Sequence, residues 1–214
     1  MDSRRFLIKK LGSRGGLTKK RKRYAIYSLF KDMKFEVGCE VGVASGRNAE
    51  KMVQRIPGLK LYLVDNYFYT KEYKHKSKWT AATCLKRAKA RFARLHKKYD
   101  FEEIFIGKDS LDAVKDFKDE SLDFVYIDAN HAFDYAIRDI IEWSRKVRVG
   151  GVIAGHDYYM FDERGVVFAV DAYIKAHNVK PVYFTDEKRH TYFWVKTKRN
   201  PSYRTANGCD KDET

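Results

Sequence analysis

Four residues able to do acid–base or metal-ligand chemistry fall in two short stretches of the 214-residue sequence. Asp128 and His131 lie in Tyr126-Ile127-Asp128-Ala129-Asn130-His131, and His156-Asp157 form an adjacent pair. Carboxylate oxygens and imidazole nitrogens can hold a divalent ion such as Mg2+, which lowers the pKa of a bound hydroxyl and orients the alkoxide. Asp128, His156 and Asp157 form the candidate metal set. His131 is a candidate general base for a hydroxyl, with Asp128 as its catalytic neighbour, because an imidazole titrates near neutrality. The plainer alternative is that Asp128 caps the next turn, His131 makes a simple polar contact, and His156 and Asp157 touch substrate or each other.

A second constellation is suited to holding a ligand. Glu40-Val41-Gly42-Val43-Ala44-Ser45-Gly46 reads ExGxxxG. Glycine tolerates positive φ and lets the backbone approach a ligand closely. Dinucleotide turns usually read GxGxxG and seat a pyrophosphate on a helix N-terminus. Here Ala44 replaces a middle glycine, and Glu40 would repel a phosphate but could orient an amine. The expected ligand is therefore a nucleoside with a charged amino-acid tail. Asp65 follows 23 residues after Gly42, about where an acid accepts both ribose hydroxyls. Taken alone, the glycine run could equally be a plain strand-to-helix connection.

These residues need a scaffold that brings strand ends together. From residue 35 onward, short apolar runs alternate with helical periodicity, the sign of βα units around a parallel sheet. Strands are expected at 35–41, 59–64, 103–106, 122–127, 151–154, 182–185 and 191–195. Apolar residues at helical spacing lie between them: Ala49, Met52, Val53, Ile56; Leu85, Ala88, Phe92, Leu95; Ile137, Ile140, Ile141, Val147; and Val167, Val170, Ile174. The last two strands are joined by Asp186-Glu187-Lys188-Arg189-His190, too short for a crossover helix, so they should form an antiparallel hairpin. In a parallel sheet Asp128, His156 and Asp157 would all reach one rim beside the glycine turn.

With these pieces in place, residues 35–196 resemble a class I S-adenosylmethionine-dependent methyltransferase. The resemblance rests on Glu40–Gly46, on Leu61-Tyr62-Leu63-Val64-Asp65, on 107–110, on the Asp128 stretch, and on Gly150-Gly151-Val152-Ile153-Ala154-Gly155-His156-Asp157. It implies an α/β, Rossmann-like, seven-stranded, mostly parallel sheet with helices on both faces and a C-terminal antiparallel hairpin. It implies S-adenosylmethionine (SAM) as cofactor, with Glu40 near the methionine tail and Gly42, Ala44 and Gly46 in the turn. Asp65 would hold the ribose, and Asp109 or Ser110 would line the adenine pocket. An N-cap role for Asp109 and Ser110 is equally open. The rim residues resemble those of the metal-dependent O-methyltransferases of the catechol type and of related sugar and macrolide enzymes. That likeness implies methyl transfer to a small-molecule or sugar hydroxyl. His156 departs from the pattern, standing where a carboxylate is usual.

Charge marks the rest of the chain. The formal net charge is +15, which implies a positive field attractive to phosphates and other anions. Residues 1–34 hold twelve Lys and Arg against Asp2 and Asp32, and are expected to form a basic arm or flanking helix outside the core. Within 68–99, eleven Lys and Arg face Glu72 alone, with Phe68, Tyr69, Tyr73 and Trp79 interleaved in the first part. That segment reads as a lid and helix (67–99) able to stack on rings and contact phosphate, or as a solvated face. An RNA-directed methyltransferase and a non-catalytic nucleic-acid-binding Rossmann-like protein are therefore kept as alternatives. Residues 197–214 read as a flexible tail. Cys39, Cys84 and Cys209 are widely spaced and suggest a reducing, cytoplasmic setting. No apolar run approaches the length of a membrane span.

Overall fold

Alternate residues of the run Phe124-Val125-Tyr126-Ile127 point to opposite faces, and all four are buried, so this strand must be covered on both sides. The computed structural model, which describes residues 2–18, 21–67, 81–159 and 165–199, shows how. Phe124 and Tyr126 join one apolar cluster, while Val125 and Ile127 join another. The first cluster lies under helices α1 (Ser3–Leu11), α2 (Ala25–Asp32), α3 (Arg47–Val53) and α4 (Ala81–Leu95). The second lies under α5 (Ser110–Ala113), α6 (Phe133–Lys146) and α7 (Gly165–Ala176).

Between these layers runs one sheet of eight strands: β1 (Gly16–Thr18), β2 (Val37–Val41), β3 (Leu59–Val64), β4 (Phe101–Ile106), β5 (Leu122–Ile127), β6 (Val147–Tyr158), β7 (Tyr183–Thr185) and β8 (His190–Val195). Their spatial order is β1-β7-β8-β6-β5-β2-β3-β4. Only β8 runs antiparallel to its neighbours β6 and β7, which is the expected terminal hairpin. The chain winds outward from β2 to β4 and then returns to β5 on the other side of β2, creating a switch point between them. Doubly wound sheets bind ligands in the crevice outside that point.

The seven expected strands are all present, and an eighth joins them. β1 pairs in parallel with β7, so the segment expected to lie outside the core is threaded into the sheet. Leu7, Ile26, Tyr27, Leu29, Phe30 and Met33 are buried in the first cluster, and the Phe30 ring packs tilted on Phe124, centroids 4.8 Å apart. The division at residue 34 thus does not separate an arm from a core. The segment's described basic side chains lie mostly on α1 and in the stretches flanking α2, while the inner face of α2 is core. Truncating Phe30 to Ala should cost about 3–5 kcal/mol and lower the thermal midpoint by roughly 10 °C, whereas an external arm would tolerate the change within about 0.5 kcal/mol.

Two further differences concern boundaries. Val147, expected on a helix, begins β6, because α6 runs directly into that strand. The helix that Asp109 or Ser110 would cap is only a short α turn followed by a 3-10 turn. Lys19 and Lys20, residues 68–80 of the proposed aromatic lid, and residues 200–214 of the tail lie outside the described residues. None of the helices in the described part is long and apolar enough to cross a membrane.

Candidate active site

β2 and β5 deliver Glu40 and Asp128 to the switch point. Glu40 is only 1% exposed, and Asn48 Nδ2 at the start of α3 donates to its Oε1 at 2.8 Å. Tyr27 Oη on α2 donates in turn to Asn48 Oδ1 at 2.5 Å. Glu40 Oε2 is buried with no hydrogen-bond partner among the described residues. Burial dominates the environment of this carboxyl and pushes its pKa up to about 8, against the hydrogen bond from Asn48 and the charge of Arg23.

The turn after Glu40 takes its shape from positive φ angles at Gly42 (90°), Ala44 (47°) and Gly46 (72°). Gly42 lies against the chain leaving β5. A Cβ there would come within 2.1 Å of the Asp128 carbonyl oxygen, so only glycine fits. Asp65 braces the same turn. Its Oδ2 accepts from the Val43 and Ala44 N–H groups at 3.0 and 2.8 Å, and its Oδ1 accepts from Tyr67 N–H at 2.7 Å. A carboxylate has about four acceptor positions, so three bonds still leave Asp65 one for a ligand. The sequence assigned this acid to a ribose, and the structure adds that it fixes the loop on which a ribose would rest.

Asp109 and Ser110 follow β4. Asp109 is exposed and caps α5, its Oδ1 accepting from Leu111 N–H at 3.1 Å. Ser110 Oγ donates to the buried Asp139 Oδ1 at 2.5 Å and accepts from Trp143 Nε1 at 2.8 Å. The capping role left open by the sequence is therefore filled at Asp109. Ser110 serves a buried network in which desolvation lifts the Asp139 pKa to about 6.

Across the switch point, Asp128, His131, His156 and Asp157 meet. His131 Nε2 stands 3.1 Å from Asp157 Oδ2 and 3.9 Å from Asp128 Oδ1. His156 Nδ1 stands 3.2 and 3.9 Å from the same two oxygens. β6 loses its register with β8 between Gly155 and Tyr158, and Asp157 adopts φ 58°. Such a bulge re-aims side chains, here placing two consecutive residues at one rim. Arg23, from the segment before α2, donates to Asp128 Oδ2 at 2.5 Å, and Arg189, from the β7–β8 turn, reaches Asp157 Oδ1 at 3.5 Å.

These contacts set the charges. Burial opposes charge on His131, but its ion pairs with Asp128 and Asp157 prevail and raise its pKa to about 9. Burial likewise opposes the Asp157 carboxylate, yet His131 and His156 hold it well below the ordinary value. Asp128 is also lowered, its burial outweighed by His131 and Arg23. At neutral pH the cluster is thus two carboxylates bridged by the His131 cation, whose ring is about half exposed to an incoming molecule. Donor atoms of Asp128, His131 and Asp157 all lie within 4.8 Å of one another, a set able to hold a metal ion. The expected set had His156 in place of His131; both rings in fact border the same carboxylates.

Residues 39–158 match the model of a family described as a methyltransferase domain, over more than half of the chain. The chain belongs to that family. No curated protein matches it at a significant level. Among solved structures, it is similar to an O-methyltransferase from Bacillus cereus in complex with S-adenosylhomocysteine (SAH), with 16% identity over 81% of this chain and 80% of that one, and a TM-score of 0.56. TomG of Streptomyces achromogenes, an O-methyltransferase involved in tomaymycin synthesis and solved with SAM, gives 14% identity, 81% and 78% coverage, and a TM-score of 0.56. An rRNA methylase from Streptococcus thermophilus gives 14% identity, 83% and 98% coverage, and 0.56. At these identities the likeness is one of fold.

In this methyltransferase the structure brings Glu40, the glycine turn, Asp65 and the four rim residues to the ends of adjacent strands, and leaves Asp109 outward on its cap. Arg23, Tyr27, Asn48 and Arg189 were not singled out by the sequence. Arg23 and Tyr27 sit in the basic segment, where the apolar spacing of Ile26, Leu29, Phe30 and Met33 is the signal that a helix docks there. Asn48 and Arg189 have no local signature, because only the tertiary fold puts them beside Glu40 and Asp157.

Proposed function

We propose that this methyltransferase transfers a methyl group from SAM to a hydroxyl of a small molecule or sugar. The observation that supports this most is the pairing, across one switch point, of a braced glycine turn beside a buried, half-satisfied glutamate with an acid–histidine cluster open to solvent on one side. When bound, SAM supplies an electrophilic methyl group, which an acceptor oxygen takes while the S–C electron pair stays on sulfur to give SAH. Glu40 and the turn suit the amino-acid tail, and Asp65 with its remaining acceptor position suits the ribose. Ser110 borders the adenine side through its buried network.

At the acceptor side, His131 faces the incoming hydroxyl and Asp128 and Asp157 hold its ring in place. As a cation it can orient the acceptor oxygen but cannot take its proton. Loss of either carboxylate's ion pair returns the ring toward its ordinary pKa, and it then accepts the hydroxyl proton as general base. A divalent ion such as Mg2+ suits the same cluster, since donor atoms of Asp128, His131 and Asp157 lie within 4.8 Å of one another. Asp128, His131 and Asp157, with His156 beside them, would hold it, and its chemistry there is to acidify a bound hydroxyl.

A polyanionic acceptor, RNA above all, is the second reading. It is supported by α4, which exposes Lys86, Arg87, Lys89 and Arg94 and contains no acidic residue.

Calorimetry with SAM and SAH tests the cofactor. Both should bind, and Asp65→Ala should weaken binding by roughly tenfold or more, as a lost charged acceptor does. No binding heat at roughly 1 mM ligand would overturn the reading.

A further inference from the structure

Two arginines reach the rim carboxylates, and only one of them is used up. Arg23 donates to Asp128 Oδ2 at 2.5 Å, and its side chain is 16% exposed. Arg189 stands 3.5 Å from Asp157 Oδ1 without a hydrogen bond to that oxygen, and its side chain is 57% exposed. Among the described residues its guanidinium has two contacts, this ion pair and the face of the Tyr159 ring, 5.2 Å from the centroid. A guanidinium stacked on an aromatic face keeps its fork of N–H donors open at the edge, and that fork matches a carboxylate or a phosphate.

The turn that carries Arg189 is held in place. The buried Thr185 binds it three times: Oγ1 accepts from Thr191 N–H at 2.8 Å and donates to Glu187 Oε1 at 2.7 Å, and the carbonyl accepts from His190 Nδ1 at 2.6 Å. Asp186 N–H donates to the Arg21 carbonyl at 2.7 Å, tying the turn to the segment that sends Arg23 to Asp128. The His131 ring lies at the other oxygen of the carboxylate that Arg189 approaches, with Nε2 3.1 Å from Asp157 Oδ2. Ring nitrogen and guanidinium are therefore no more than about 9 Å apart across one carboxylate.

A preset cationic fork this close to the reacting position complements an acceptor that carries its own anionic group. We propose that Arg189 selects a small hydroxylated anion, a carboxylate or a phosphate ester, as the methyl acceptor. The guanidinium edge pairs with the anionic group while His131 meets the hydroxyl, and the Tyr159 ring holds the guanidinium plane. This rests on the methyl-transfer reading and narrows its acceptor class. Arg189 binds the acceptor and takes no part in moving the methyl group or the proton.

The test is calorimetry on SAH-saturated protein with two matched pairs of probes: 4-hydroxybenzoate against its methyl ester, and glucose 6-phosphate against glucose. In at least one pair the anion should bind roughly 10- to 100-fold more tightly than its neutral partner, the range for a charged hydrogen-bonded pair. Which pair shows the preference tells carboxylate from phosphate. Equal affinities within both pairs, or no binding of either anion, would overturn the proposal, whereas failure of SAH itself to bind would overturn the cofactor reading beneath it. Arg189→Gln should bring the preference within about twofold while keeping SAH affinity within about twofold. Arg189→Lys keeps the charge without the forked edge and should lose about threefold of the preference; it decides the matter if the glutamine variant fails to fold. An unchanged preference in either variant would overturn the proposal.

Discussion

Gly42→Ala should abolish measurable SAH binding and lower the thermal midpoint by roughly 6–12 °C. Two effects combine. At φ 90° an alanine is strained by about 1–2 kcal/mol. Its Cβ would also fall 2.1 Å from the Asp128 carbonyl oxygen, 2.5 Å from that carbonyl carbon and 2.7 Å from the Ala129 Cα. All three are backbone atoms of the chain leaving β5, so no side chain can swing aside, and overpacking of this kind costs about 1–3 kcal/mol. Moving that backbone displaces Asp128 and shifts the turn that Asp65 braces, so the ligand site and the rim are disturbed together. Gly58→Ala is the control. Gly58 also has positive φ, 71°, but the nearest atom to an added Cβ is 4.0 Å away. That variant should lose about 1 kcal/mol from strain and bind SAH as the wild type does. If Gly42→Ala bound SAH normally, the turn would not be the cofactor site.

The same geometry explains how much of this site could be read in the sequence. Asp65, Asp128, His156 and Asp157 were legible because each ends an apolar run, and strand ends of a parallel sheet share one rim whatever the details of packing. His131 followed from its distance to Asp128. Their charges were not legible. The near-neutral imidazole expected at position 131 is lifted to about 9 by two carboxylates, one of them delivered by β6 from far along the chain. The N-terminal segment was misjudged for a different reason. Its basic count comes mostly from α1 and from the stretch before α2, while Ile26, Tyr27 and Phe30 of α2 are buried. The three residues of β1 are too few to show any period, and they join the sheet only because the edge of β7 is there to receive them. Lys86, Arg87 and Lys89 on α4 are solvent-facing, as their sequence pattern suggests, whereas Arg91 turns inward to pair with Glu50.

Glu40→Gln should make the protein more stable and a poorer binder, and the two changes should depend on pH in opposite ways. The sign follows from a folded-state pKa of about 8 against an ordinary value of 4.5. Below pH 4.5 the carboxyl is protonated both folded and unfolded, and the two proteins should be alike. As pH rises the unfolded wild-type chain ionises first while the folded one retains its proton, so wild-type stability falls until about pH 8 and then levels. At 1.36 kcal/mol per tenfold difference in proton affinity, the whole gap is worth at most about 5 kcal/mol, and relaxation around a buried carboxyl reduces it to the order of 2 kcal/mol. The glutamine keeps the acceptor for Asn48 Nδ2 and cannot ionise, so its stability should be flat and higher above pH 7. Binding runs the other way. An α-ammonium needs the carboxylate, so wild-type affinity for SAH should rise by up to about tenfold per pH step toward pH 8, with a proton released on binding. Glu40→Gln should bind at least about tenfold more weakly at pH 8 and release no proton. Chemical unfolding from pH 5 to 9 reads the first effect, and calorimetry in buffers of different ionisation enthalpy reads the second. A variant that loses stability at alkaline pH as the wild type does would place the titration elsewhere. One that binds SAH with the wild-type pH slope would free Glu40 from any contact with the ammonium.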